Sequence, residues 1–283
     1  MATFYNQATL SYNGNVVNSN ITSGELLEVL SIAKTAVDAN YRAGGNVTYV
    51  ISIVNSGNVP YTGLIVTDNL GAYPFGAQTL TPLTYVDGSM HYFINGVEQT
   101  APAVDAGPPL TVSGIAVPAG GNVTLVYEAD VNAVAPLGVG DTIVNEATLS
   151  GGMITPVSAT ETVTPDGDPV LSISKSVSPL VVTENGQITY TFIIQNQGNT
   201  EAIATDNVII TDTFDPILGD LAVTVNGVPF VAGVDYTYDP TTGAFATLSG
   251  RITVPAATYE QDATTGTVVT TPGVTVVTVT GTV

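Results

Sequence analysis

The 283-residue chain has no cysteine, no tryptophan, a single histidine, and four lysines and arginines in total. Without cysteine there is no disulfide framework, no thiolate metal site and no cysteine nucleophile. With His91 as the lone histidine, a His-based catalytic triad and a multi-histidine metal centre are both excluded. Against the few basic residues stand 24 acidic ones, for a net charge of −20. A chain so acidic repels phosphate backbones, which makes nucleic acid and anionic membrane poor partners. No run of about 18 apolar residues is present to cross a bilayer, so membrane insertion is not expected. The opening MATFYNQATLSYNG has neither a basic n-region nor an apolar h-region and does not read as a secretory signal. A place outside the cell then requires a leader already removed, or release by lysis. Phosphate-cradling loops and nucleophile elbows are absent too, and no cofactor is expected.

What remains is rich in Val, Ile, Thr and Tyr in short runs, punctuated by 29 glycines and 17 prolines. No amphipathic helical stretch of any length interrupts them, and the pattern predicts an all-β protein. An internal repeat organises the runs. LSIAKTAVDANYRAGGNVTYVISIVNSGN, from Leu30 to Asn58, returns as LSISKSVSPLVVTENGQITYTFIIQNQGN, from Leu171 to Asn199. Further along, LIVTDNL from Leu64 matches VIITDTF from Val208, and IAVPAG from Ile115 matches ITVPAA from Ile252. Each copy then reaches an alternating strand, VTLVYEADV from Val123 or VTVVTVTGTV from Val274. The turn-rich TPDGDP, Thr164 to Pro169, reads as a short linker between them. The expectation is two tandem Ig-like β-sandwich domains, 25–165 and 166–283, behind an N-terminal arm, 1–24.

The copies differ in one respect. The first goes on to TIVNEATLS, Thr142 to Ser150, for which the second has no counterpart before Val283. Yet TFYNQATLS, Thr3 to Ser11, precedes the first copy and is the same segment: Asn6, Ala8, Thr9, Leu10 and Ser11 match Asn145, Ala147, Thr148, Leu149 and Ser150. A sandwich short of a strand exposes core and an unpaired edge, and an orphan strand of matching pattern is its natural complement. Folding back within one chain would use Tyr12 to Val29 as an extended spacer, at roughly 3.3 Å per residue a marginal reach of about 60 Å. Donation to another copy has no such limit and generates an open filament. The expected donor strand presents Phe4, Asn6, Ala8 and Leu10 to domain 2 of the next subunit. An excised piece of a longer repeat array would give the same pattern.

These segments resemble the bacterial surface repeat known as "domain of unknown function 11". The likeness rests on a first-strand lysine, a Tyr…Asn-x-Gly stretch, a Thr-Asp after a Val/Ile run, and a terminal Asn-x-Ala-Thr strand, and it covers nearly the whole chain twice. It implies cell-wall, cell-surface or spore-coat architecture and no catalysis on substrates. The protein is therefore expected to be an extracellular structural subunit, a homopolymer on a cell or spore surface. A monomeric adhesin or ligand-binding stalk module is the alternative, and an enzyme is disfavoured.

The only two lysines, Lys34 and Lys175, occupy the same repeat position. Residues two apart in a strand share a face. Lys34 therefore goes with Leu30 and Ile32, Asp68 with Leu64 and Val66, and Asn145 with Ala147 and Leu149. By the same parity, Lys175, Asp212 and Asn6 face the apolar side of the second set. Polar groups inside a core are costly unless they satisfy one another. One reading is a buried Lys–Asp ion pair with Asn as hydrogen-bonding neighbour. The other is a self-forming Lys–Asn isopeptide bond promoted by Asp68 or Asp212, as in the collagen-adhesin-like domains of Gram-positive pili, which the triad resembles. That reading expects an intramolecular Lys34–Asn145 link and an intermolecular Lys175–Asn6 link. The linker carboxylates Asp166 and Asp168 could meet calcium, but two carboxylates in a turn are ordinarily solvated turn formers, and no metal site is assigned.

Overall fold

The computed structural model describes residues 2–26 and 29–283; Met1, Leu27 and Glu28 lie outside the described residues. The chain is all-β: strands and turns account for it, with one short 3-10 turn at Ala204–Asp206. Two separate hydrophobic cores form, one drawn from Tyr41 to Val163 and the other from Ile188 to Val279.

Numbering the strands that frame the cores, the arm holds β1 (Ala2–Asn6), β2 (Thr9–Tyr12), β3 (Asn15–Asn18) and β4 (Thr22–Leu26). Around the first core come β5 (Leu30–Ala36), β6 (Asn46–Asn55), β7 (Tyr61–Asp68), β8 (His91–Ile94), β9 (Val97–Gln99), β10 (Leu110–Val117), β11 (Asn122–Val131), β12 (Ile143–Gly151) and β13 (Val157–Pro165). Around the second come β14 (Leu171–Ser178), β15 (Gln187–Asn196), β16 (Thr211–Thr213), β17 (Gly219–Val225), β18 (Val228–Phe230), β19 (Ala244–Thr247) and β20 (Gly273–Thr282).

One sheet of the first sandwich runs β9-β8-β11-β6-β5, and its counterpart in the second runs β18-β17-β20-β15-β14, the same order strand for strand. Alternation explains why they fold alike. In β6, Val47, Tyr49, Ile51 and Ile53 all point into the core, while the residues between them face outward. The shared Asn-x-Gly also does the same work twice. Asn55 donates from Nδ2 to the carbonyls of Val59 and Pro118 at 2.8 and 2.9 Å, and its Oδ1 accepts the Gly57 amide at 2.9 Å. Asn196 repeats this with Thr200, Pro255 and Gly198 at 2.7, 3.1 and 2.9 Å. Each asparagine ties a strand end to two loops whose backbone would otherwise lack partners.

The second sheets differ. In the first sandwich, β7 is flanked on both sides: β10 pairs with one edge and β12 with the other, and β13 follows β12. In the second sandwich, Val208 to Thr213 is the repeat equivalent of β7. Its one edge pairs with Ile252 and β19; among the described residues no strand pairs with the other edge.

The arm corrects one expectation. As far as Leu26, the segment from Tyr12 expected to serve as an extended spacer is folded. β2 turns at Asn13 and Gly14, both at positive φ, into β3, and β4 runs back along β1. Asn-Gly at the tip of a two-residue hairpin supplies the left-handed backbone that such a turn requires. Thr3 to Ser11 is therefore one side of a hairpin, interrupted at Gln7 and Ala8. None of its side chains belongs to either core; Phe4 is 58% and Leu10 64% exposed.

Candidate functional site

Lys34 on β5, Asp68 at the end of β7 and Asn145 on β12 are all buried and come together around one phenol. Lys34 Nζ donates to Asp68 Oδ2 at 2.5 Å, with side-chain exposures of 0% and 1%. The Tyr127 hydroxyl, on β11, donates to the same Asp68 oxygen at 2.6 Å. It accepts from Lys34 Nζ at 3.2 Å and from Asn145 Nδ2 at 3.1 Å. One O–H and two lone pairs are thus fully used, and the hydroxyl holds lysine and asparagine on either side of itself. Asp68 Oδ1 accepts the Leu70 amide at 3.0 Å. Asn145 Oδ1 accepts the Gly71 amide at 3.2 Å. Gly71 sits at φ +71, and a Cβ there would strike Ile143, so only glycine lets its amide approach Asn145 this way.

Burial sets the chemistry. Loss of hydration pushes the Lys34 amine down to about 8, against the pull of Asp68 that favours its charged form. The Lys34 ammonium lies 4.7 Å from the centre of the Tyr49 ring, which stacks on Tyr127 at 5.6 Å. Burial and the Asp68 carboxylate together push the Tyr127 phenol well up, so it stays protonated as a donor. A nucleophilic amine, a carboxylate within reach of its proton, and a primary amide tied to the same hydroxyl make up the inventory of an amine–amide exchange.

Tyr127 escaped the sequence reading. A tyrosine in an alternating strand is ordinarily core, and the repeat comparison did not mark it. Its counterpart opposite Tyr190 in the second sandwich is Val279, where β11 has Tyr127 opposite Tyr49.

In the second sandwich, Lys175 pairs with Asp212, but the pair is open: the side chains are 40% and 18% exposed. Tyr190, Phe192 and Phe214 ring the Lys175 ammonium at 4.6, 5.4 and 5.4 Å. A groove runs past it, two adjoining hollows of about 350 and 400 Å³ that share Ile173, Ile209 and Ile210. In the first sandwich, Ala147 and Leu149 of β12 fill this place, paired opposite Asp68 and Val66. Asn6 lies in the exposed arm, on β1 with Phe4, while Ala8 and Leu10 continue past the break. The structure thus brings Lys34, Asp68 and Asn145 together, and Lys175 with Asp212, and leaves Asn6 apart from both.

His91 pairs with Glu98 at 2.8 Å on an exposed hairpin, and Asp166 is held by Arg42 at 3.0 Å. No described helix is long and apolar enough to cross a membrane.

No protein-family model matches the chain, and no curated protein matches it. The resemblance to the domain of unknown function 11 therefore rests on the motifs alone. Among solved structures, the chain is similar to the pilus backbone protein RrgB of Streptococcus pneumoniae, 14% identical over 86% of this chain and 55% of that one, with a TM-score of 0.35. It is similar to the major pilin BcpA of Bacillus cereus, at 15% over 95% and 73%, TM-score 0.35. The major pilin SpaD of Corynebacterium diphtheriae gives 12% over 85% and 58%, TM-score 0.36. Superpositions this loose say nothing about what the chain does.

Proposed function

We propose that the protein is a structural subunit of an extracellular fibre, on a cell or spore surface, built head to tail from copies of itself. Residues 25–165 and 166–283 act as two sandwich domains, and the arm 1–24 enters domain 2 of the next copy. The observation that carries this reading is the contrast between two equivalent edges. The Leu64–Asp68 edge is covered by β12, whereas among the described residues no strand pairs with the Val208–Asp212 edge, which lies beside an apolar groove. The arm carries the matching Asn-x-Ala-Thr-Leu-Ser segment with its apolar residues in solvent. Burying one Phe or Leu side chain yields about 1.5–3 kcal/mol, so several of them together favour docking.

The fibre is locked by Lys–Asn bonds. Within domain 1, Lys34 reacts in the neutral form that its burial favours: Nζ attacks Asn145 Cγ, a proton leaves Nζ for the Asp68 carboxylate, and the Cγ–Nδ2 bond breaks. Asp68 returns the proton to the departing nitrogen, so one amide forms and one ammonia leaves, with no other reactant. Lys175, Asp212 and Asn6 of a neighbouring copy form the equivalent joint between subunits.

Deleting residues 1–11 tests the assembly. The truncated protein should keep its β-sheet circular dichroism yet form no filaments by negative stain. Unchanged filaments would sink the donated-strand reading, and a monodisperse wild type would point to docking within one chain.

A further inference from the structure

We infer that the element passed between copies is the complete hairpin β1–β4, not a single strand, an inference that rests on the fibre reading above. It docks with Ala8 opposite Asp212, Leu10 opposite Ile210 and Tyr12 opposite Val208, and its return strands β3 and β4 lie over β14. The occupant of the groove is thus the N-terminal hairpin of a second copy of this chain.

The arm reproduces β12–β13 pair by pair. Leu10 opposes Val17 as Leu149 opposes Val157, and Thr9 opposes Asn18 as Thr148 opposes Ser158. The latter pairs even share a cross-strand side-chain bond, Thr9 Oγ1 to Asn18 Oδ1 at 3.2 Å and Thr148 Oγ1 to Ser158 Oγ at 2.8 Å. The Ser19 amide donates to the Ala8 carbonyl at 2.8 Å, where Ala147 pairs with Ala159. Toward β1 and β4 the return strand carries one extra residue, so that Asn6 meets Thr22. The docking register follows from β12, where Ala147, Leu149 and Gly151 oppose Asp68, Val66 and Leu64.

Among the described residues, nothing in the second sandwich takes the place of β13 either. β13 packs against β5 in the first sandwich, and there Ile32 is half-buried and Lys34 buried. β14, the counterpart of β5, is exposed along nearly its whole length, with Ile173 at 58%. A single strand added at the Val208–Asp212 edge would replace β12, which meets β5 only slightly, and leave β14 without the main cover that β13 gives β5. A hairpin replaces β12 and β13 together. It also needs such a partner, because a two-stranded hairpin alone is at best marginally stable in water.

A locked hairpin separates the two modes. The chain has no cysteine of its own, and Thr9 and Asn18 lie on the face away from Ala8 and Leu10. The pair T9C/N18C should close a disulfide across the ladder without touching the docking face. Fibres are expected with the disulfide formed as readily as after reduction. Assembly only after reduction would show that the hairpin must open and would overturn the inference while leaving the fibre in place. Hydrogen exchange on wild-type fibres decides the matter if the double variant assembles under neither condition. Amides 15–18 and Leu171–Ser178 should exchange more slowly in the fibre than in the monomer, and unchanged or faster exchange at 15–18 overturns the inference. A wild type that never assembles, or whose fibres leave both segments as exposed as in the monomer, overturns the fibre reading itself.

Discussion

The Tyr127 hydroxyl and the Asp68 carboxylate meet at 2.6 Å inside the first core, and the same carboxylate oxygen takes the Lys34 ammonium. Asp68 thus accepts from both donors, and removing it leaves a buried lysine without its ion-pair partner. An unpaired buried charge is among the most destabilising defects a core can carry, about 3–5 kcal/mol.

The first prediction concerns covalent mass. The intact protein should weigh less than its sequence by one ammonia for each bond formed, and a digest should contain a branched peptide joining Lys34 to Asn145. Asp68→Ala should restore the full mass. A full mass in the unaltered protein, with an unmodified Lys34 peptide, leaves an ion pair only.

Tyr127→Phe tests the shared hydroxyl. The ring stacking on Tyr49 remains, but Lys34 and Asn145 each lose a hydrogen-bond partner. The loss should be about 1–3 kcal/mol in urea unfolding. Release of ammonia, followed by mass during refolding, should slow markedly. Unchanged kinetics would mean that Asn145 is oriented by the Gly71 amide alone.

The dependence on pH is best read in Asn145→Ala, which cannot form the bond. Folded Lys34 loses its proton near 8, against 10.5 for the free side chain. Between those values the unfolded chain holds more protons, so stability rises with pH. The gain saturates near about 3 kcal/mol. Above pH ~10 the trend reverses, because burial holds the phenols of Tyr41, Tyr49 and Tyr127 protonated while the unfolded chain releases them. Urea midpoints measured at about pH 7 and about pH 9.5 should therefore increase. A fall across that range would place Lys34 outside the low-dielectric core.

The joint between copies can be tested by heat. Fibres welded through Lys175 and Asn6 should survive boiling in detergent as a ladder or as material too large for a gel. Asn6→Ala and Lys175→Ala should still form filaments, since Phe4, Ala8 and Leu10 remain, yet dissolve to monomer on boiling. Wild-type fibres that dissolve the same way exclude the covalent joint and leave the docking intact.

Much of this was legible in residue order, though unevenly. Alternation placed the side chains of Lys34, Asp68 and Asn145 on the core side of their strands because a period of two leaves little choice once the apolar partners are known. Tyr127 was missed because a strand tyrosine carries no mark of its hydroxyl's partners until four strands converge. The hairpin was missed for a different reason. Asn13-Gly14 is a strong turn signal, but repeat matching drew attention to Thr3–Ser11 and left the return strand as spacer. Of the return strand only Val17 repeats its counterpart, Val157, while Asn18 and Ser19 stand where Ser158 and Ala159 do, and the register shows that they correspond. The openness of Lys175 was equally hidden, since its neighbours in sequence repeat those of Lys34 and the difference lies in strands far along the chain.

If the hairpin of one copy pairs with the Val208–Asp212 edge of the next, an edge unpaired among the described residues, the polymer has a direction. Any polymer formed by that pairing has unlike tips, one presenting an unused hairpin and the other an empty groove. Growth at each tip then calls for a different stopper. In a polymer built this way, a free peptide spanning residues 2–26 should block the groove tip, and a lone 166–283 fragment should block the hairpin tip. Lengthening of such a polymer would then be halted from either side independently, and an anchoring surface would need to recognise only one of the two.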